Sequence, residues 1–102
     1  MKTDINELIQ NPQNVIIDLR DSQLFKQQHF KNTINIPLDD FDSQIPFLPF
    51  HKQIYLICET GKNAKMLALK LQKIGYQCYG VPYGFSLILE DTKKDGNAHL
   101  NV

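Results

Sequence analysis

The chain has 102 residues, which is the length of one domain and enough to bury a core without a metal or a disulfide. Its 11 acidic residues balance its 11 basic residues, so bulk charge predicts binding to neither nucleic acid nor an anionic membrane. No apolar run approaches the roughly 20 residues of a membrane span, and the first residues lack the apolar core of a signal peptide. We therefore expect a cytoplasmic protein.

The first half of the chain predicts short helices around two strands. Asp4 is a predicted N-cap for a helix that Asn11-Pro12 ends. Residues 15–19 form a β-branched run without polar alternation, which favours a strand covered on both faces. The remaining predicted elements are a short helix over 22–28 with Ser22 as its candidate cap, a brief strand over 33–36 and a helical turn over 38–44.

The second half predicts strand, helix, strand and helix in turn. An apolar strand over 53–58 precedes a segment whose apolar residues repeat at helical spacing: Ala64, Leu67, Ala68, Leu71 and Ile74. A last strand is predicted over 77–81 and a closing helix over 84–90. From residue 91 the chain turns polar and loses periodicity, so 91–102 is interpreted as a polar C-terminal tail after a single domain over 1–90.

This alternation predicts an α/β fold in which a small parallel sheet is flanked by helices on both faces. In such sheets ligands bind beyond the carboxyl ends of the strands. Cys58 ends a predicted strand, so it lies at that edge, just before a predicted helix start. Backbone N–H groups at a helix start favour an anion, and the thiolate is the reactive form of cysteine. Covalent chemistry at Cys58 is therefore the leading interpretation.

The other candidate groups have simpler interpretations. Cys78 sits in an apolar segment and is predicted to be a buried small hydrophobe, although a redox pair with Cys58 stays open at this point. The two cysteines fit neither a disulfide framework nor a common zinc spacing. His29, His51 and His99 are too scattered to suggest a metal site, and no cofactor is predicted.

Four segments in this order resemble the rhodanese homology domain. Residues 15–20 resemble its opening strand with the Asp-x-Arg signature, and residues 29–37 resemble its following His-containing turn and strand. Residues 54–58, with the loop and helix after them, resemble the active-site strand and loop. Gly75 and Gly84 fall where the family places a helix-ending glycine and a final-loop glycine.

The resemblance implies a sulfurtransferase without a cofactor. The Cys58 thiolate would take sulfane sulfur from a donor such as thiosulfate or a persulfide, and pass it to cyanide, a small thiol or a protein thiol. Asp18 is a candidate for the site rim, while Asp18 and Arg20 together are better interpreted as a structural pair. The implied substrate-binding residues are those of the loop, Glu59, Thr60, Gly61, Lys62 and Asn63.

Two loop residues depart from the family pattern and keep an alternative open. Active members often carry arginine at the position of Asn63, and Glu59 places a negative charge that would repel a dianionic donor. The alternative is a catalytically weak rhodanese-like module that binds or regulates another protein. Phosphatase chemistry, which related folds perform with a Cys-x5-Arg loop, is disfavoured because the sixth residue after Cys58 is Ala64.

Overall fold

The computed structural model describes residues 4–94 and 100–101. Five helices and six strands lie in this part of the chain, with 3-10 turns at Leu38–Asp40 and Ile45–Phe47. The helices are α1 (Ile5–Gln10), α2 (Ser22–Gln27), α3 (Phe41–Gln44), α4 (Lys62–Lys73) and α5 (Phe85–Lys94). The strands are β1 (Asn14–Asp18), β2 (His29–Phe30), β3 (Thr33–Asn35), β4 (Gln53–Ile57), β5 (Gln77–Gly80) and β6 (Leu100–Asn101).

Four of the strands form one parallel sheet in the order β3-β1-β4-β5. Ile17 of β1 pairs with Ile34 on one side and with Leu56 on the other, so β1 and β4 are the central strands. Because all four strands run in the same direction, their carboxyl ends meet at one edge. The predicted α/β fold with a small parallel sheet is confirmed.

The sheet separates two buried clusters, as expected for strands covered on both faces. Along β4, Ile54 and Leu56 face a cluster that includes Ala64, Ala68 and Leu71 of α4. The neighbouring Ile57 faces a second cluster, built with α1 and α5. The alternation follows from the strand period of two, and it explains why residues 53–58 contain no polar alternation.

Two helix starts test the predicted caps. Asp4 caps α1, since its carboxylate accepts hydrogen bonds from the backbone N–H groups of Asn6 and Glu7. For α2 the predicted cap was wrong: Asp21, not Ser22, accepts from the N–H of Gln23 at 2.8 Å. Aspartate and serine are comparable caps, so the sequence alone did not distinguish two adjacent candidates.

The C-terminal region differs from its prediction. The closing helix was predicted over 84–90, but α5 continues to Lys94. Leu100–Asn101 pairs antiparallel with His29–Phe30 in a small second sheet that the sequence did not predict. The division into a domain over 1–90 and a tail over 91–102 stays a prediction, and residues 95–99 and 102 lie outside the described part. None of the helices in residues 4–94 is long and apolar enough to cross a bilayer.

Candidate functional site

Cys58 directly follows β4 at the edge where the strands of the parallel sheet end. Its side chain belongs to the buried cluster on the α4 side of the sheet, and the residue is 5% exposed. The loop 58–61 then turns the chain back so that α4 begins at Lys62. The thiol therefore lies between the end of a central strand and the first turn of the longest helix among the described residues.

Two backbone amides point at this sulfur. The N–H of Gly61 donates to Cys58 Sγ at 3.0 Å and the N–H of Ala64 donates at 3.4 Å. Gly61 has a φ of +89°, and a Cβ at this position would lie 2.7 Å from the carbonyl oxygen of Pro82. Glycine adopts this positive φ without strain and has no Cβ to collide with Pro82. The backbone path that directs the two amides at the sulfur therefore depends on Gly61. Converging N–H groups at a helix start stabilise negative charge on the sulfur.

A second loop holds the first in place. The N–H of Phe85, at the start of α5, donates to the carbonyl oxygen of Cys58 at 2.9 Å. Gly84 packs directly on the backbone of Glu59 and Thr60, and a Cβ on Gly84 would collide with the carbonyl oxygen of Glu59. The sequence prediction did not assign this contact. The signal for it is that Gly84 follows β5, whose end lies at the same sheet edge as Cys58.

Cys58 opens onto a cavity of about 230 Å³. From the predicted substrate loop, Glu59, Thr60 and Asn63 line this cavity. Gly61 is not among the lining residues, but its N–H donates to the Cys58 sulfur. Lys62 is exposed and is not among the lining residues, while its N–H donates to Thr60 Oγ1 at 3.3 Å. The prediction that Lys62 binds substrate stays a prediction.

Asp18 and Arg20 form a buried ion pair beside the cavity. Arg20 Nε and Nη2 both donate to the Asp18 carboxylate, the latter at 2.9 Å, and Asp18 is 1% exposed. Arg20 and Asp21 line the Cys58 cavity, whereas Asp18 lies behind Arg20 and does not. The predicted structural pairing is observed, and Arg20 takes the rim position suggested for Asp18.

Cys78 lies too far from Cys58 for direct exchange. In the β4–β5 register Cys78 pairs with Ile54, four residues before Cys58. At about 3.3 Å per strand residue this offset is roughly 13 Å, and a disulfide needs Cα atoms within about 7 Å. Burial raises the pKa of the Cys78 thiol to about 11. The redox pair left open by the sequence is thus excluded in this fold, and the prediction of a buried hydrophobe is confirmed.

The arrangement can present one nucleophilic sulfur to a small reactant. The sulfur belongs to a residue that lines a cavity, and two main-chain N–H groups donate to it. Within residues 4–94 and 100–101, no three histidine, cysteine, aspartate or glutamate side chains gather in a way that would hold a metal ion. A thiol in this setting can attack an electrophilic centre.

Comparison with known proteins gives a family match over most of the chain. The sequence model of the family described as "Rhodanese-like domain" matches residues 1–91. A putative sulfur carrier protein, YrkF of Bacillus subtilis, is 27% identical over 61% of this chain and 34% of that protein. A tRNA uridine(34) hydroxylase of Salmonella newport is 30% identical over 72% of this chain and 23% of that protein. The chain thus spans about a third or less of these relatives.

Solved structures share the fold. A rhodanese-related protein from Thermoplasma volcanium superposes with a TM-score of 0.77 at 23% identity, covering 86% of each chain. The reduced CoADR-RHD protein of Bacillus anthracis superposes with a TM-score of 0.79 at 31% identity, covering 89% of this chain and 16% of that one. The fold of this chain is therefore also found in these two crystal structures.

Proposed function

The chain belongs to the rhodanese-like domain family, and on this basis we propose that it is a sulfurtransferase that carries sulfane sulfur as a persulfide on Cys58. The observation that carries the proposal is the pair of amides, from Gly61 and Ala64, that donate to Cys58 Sγ at 3.0 and 3.4 Å. A relative named as a putative sulfur carrier is consistent with the same chemistry.

The reaction has two steps, each of which exchanges one sulfur bond for another. The Cys58 thiolate attacks the outer sulfur of the donor, so that a new S–S bond forms as the donor's own bond to that sulfur breaks. The departing group leaves with the electron pair as sulfite or a thiolate. An acceptor nucleophile, cyanide or a thiolate, then attacks the terminal sulfur, and Cys58 leaves as the thiolate. No external oxidant or reductant is consumed.

The loop amides act in both steps. They stabilise the thiolate before attack and the thiolate that is regenerated after transfer, because their N–H groups are fixed by the turn at Gly61 and by the first turn of α4. Glu59, Thr60 and Asn63 line the cavity where the reactant enters. Gly84 packs on the backbone of Glu59 and Thr60, and together with Asn63 these two residues form the substrate-binding wall of the proposed enzyme.

Thiocyanate production tests this function. The protein is mixed with a persulfide or thiosulfate donor and with cyanide, and turnover is compared with the variants Cys58→Ala and Cys78→Ala. We expect Cys58→Ala to lose enzymatic turnover entirely. Cys78→Ala, which removes the other sulfur far from the cavity, should retain it when assayed where the variant is folded. Equal turnover in Cys58→Ala and the parent, or none with any donor, would refute the proposal.

A second candidate function is a weakly active module that binds or regulates another protein. It is favoured by the uncharged amide at Asn63 and the carboxylate at Glu59, both of which line the Cys58 cavity. In that case the parent should show no sulfur transfer with any donor. The double variant Glu59→Gln, Asn63→Arg should then acquire sulfurtransferase activity with thiosulfate. Comparable activity of parent and double variant would exclude this second candidate.

A further inference from the structure

The Cys58 cavity continues into a larger cleft. This second space, of about 640 Å³, lies between α2 and the first turns of α5. Arg20, Leu24 and Glu59 line both spaces, so the two adjoin at these residues. Phe85 and Leu89 add apolar wall to the larger one. A reactant with its sulfur at Cys58 therefore has room beside that sulfur for an organic group, which an inorganic dianion such as thiosulfate lacks.

A carboxylate that is unpaired among the described residues lies where the Cys58 cavity and the larger cleft adjoin. Glu59 is exposed at the point where both spaces meet, and none of the described lysines or arginines forms an ion pair with it. Asp21 adds a second carboxylate to the Cys58 cavity, although one of its oxygens caps α2. No lysine of residues 4–93 lines either space. The junction therefore favours a group that carries positive charge.

Arg20 supplies a positively charged hydrogen-bond donor to the wall of the same spaces. Its residue is 7% exposed, and its Nε and Nη2 are taken by Asp18 and by the carbonyl oxygen of Gln28. Among the described residues no atom accepts a hydrogen bond from the remaining nitrogen, Nη1. The guanidinium stacks 3.5 Å over the Phe85 ring, which fixes it in the wall of the cleft. Because Arg20 lines both spaces and its Nη1 has no acceptor among the described residues, this guanidinium can donate to a carboxylate oxygen of a bound reactant.

We propose that the sulfur donor is a cysteine-derived low-molecular-weight persulfide, whose ammonium group pairs with Glu59 and whose carboxylate accepts from Arg20 Nη1. This inference rests on the proposed function and names its substrate class. The Cys58 thiolate attacks the terminal sulfur of the persulfide, R–S–SH. A Cys58 persulfide forms, and R–S⁻ departs with the electron pair and takes a proton from solvent.

The experiment compares donors that differ by one charged group. Cysteine persulfide carries both groups, N-acetylcysteine persulfide lacks the ammonium and cysteamine persulfide lacks the carboxylate. The rate at which each adds one sulfur to Cys58 is followed by intact mass, and is divided by that donor's rate with a free thiol to remove intrinsic reactivity. We expect each deletion to slow transfer by about two- to fivefold, the range for a partly exposed charge pair.

Matched variants separate the local contact from overall charge. In Glu59→Gln the normalised advantage of cysteine persulfide over its N-acetyl analogue should disappear, while the advantage over cysteamine persulfide stays. Glu90→Gln removes an exposed carboxylate of α5 that lines neither space, so both advantages should persist. Equal normalised rates for all three donors would overturn this inference and leave the sulfurtransferase proposal standing. Absence of sulfur on Cys58 with every donor would overturn both.

Discussion

At the scale of single residues, the Asp18–Arg20 pair ties the site to the core. Asp18 accepts from Nε and Nη2 of Arg20 and also from its backbone N–H at 2.9 Å, so the carboxylate is satisfied by a single neighbour. Arg20 in turn reaches the Gln28 carbonyl oxygen and the Phe85 ring. The pair thereby connects the end of β1 with α2 and α5, the elements that enclose the larger cleft.

Removal of the Asp18 charge should be strongly destabilising. Asp18→Asn leaves the Arg20 guanidinium buried without a counter-charge, and we expect the free energy of unfolding to fall by about 3–5 kcal/mol. Urea denaturation measures it. The exposed pair of Lys70 and Asp42, 3.0 Å apart, gives the control: Asp42→Asn should change stability by less than about 1 kcal/mol. Similar losses in the two variants would contradict the structural role assigned to Asp18.

Some residues of the candidate site could be placed from the sequence alone and others could not. Cys58 and the glycine that turns its loop were predictable, because a thiol at a strand end followed by glycine and a helix start has few other arrangements. That Lys62 is exposed and lies outside the cavity wall was not predictable, because it depends on how α4 docks on the sheet. Arg20 was identified as one half of a pair, but its position in the cavity wall arises from the packing of α2 and α5, which no local pattern encodes.

At the scale of elements, the loop after β5 positions the loop after β4. Gly84→Ala places a methyl group against the Glu59 carbonyl oxygen, so the Cys58 loop must shift. We expect sulfur transfer to fall by about tenfold or more, since small displacements of reacting groups have large kinetic effects. The thiocyanate assay measures this, alongside the midpoint of urea denaturation.

A glycine remote from the site provides the comparison. In Gly75→Ala the added methyl would meet only the Phe50 side chain, at 3.8 Å, although the φ of +103° also disfavours alanine. Both variants should lose stability, but only Gly84→Ala should lose sulfur transfer per folded molecule. If the two lose activity in the same proportion, Gly84 has no specific effect on the Cys58 loop.

Element boundaries were predictable where burial is periodic. The four parallel strands were predicted within one residue of their observed ends, because their apolar runs are short and bounded by turn residues. The β2–β6 pair was missed since each strand has two residues and the partners are distant in sequence. The last turn of α5 was missed because it is polar. Thr92 is nonetheless buried there, with its hydroxyl donating to the Ile88 carbonyl oxygen at 2.7 Å.

At the scale of the whole molecule, ionisation of the Cys78 thiol makes the stability of the fold depend on pH in the alkaline range. Burial raises the pKa of its thiol from 9.0 to about 11. The unfolded chain releases this proton near pH 9 while the folded chain keeps it, so the unfolded state binds fewer protons and stability falls as pH rises. The contribution is fully present below pH 9 and is lost as pH rises to about 11.

Urea denaturation between pH 8 and 11 checks this linkage. The parent should lose more stability over that interval than Cys78→Ala, which has no thiol to ionise at this position. The comparison of slopes removes the effect of the smaller side chain on stability at neutral pH. Parallel pH profiles for the two proteins would show that the Cys78 thiol does not titrate differently in the folded and unfolded chains.

The proposed sulfur transfer requires that main-chain amides hold a reactive sulfur on Cys58 at the carboxyl edge of the sheet. Its most direct test is to locate the sulfur that the protein acquires from a persulfide donor, using mass spectrometry of the intact chain and of its peptides. We predict one added sulfur on the peptide that contains Cys58, removable by cyanide and absent in Cys58→Ser. An unmodified Cys58, or sulfur found on Cys78 instead, would contradict the account.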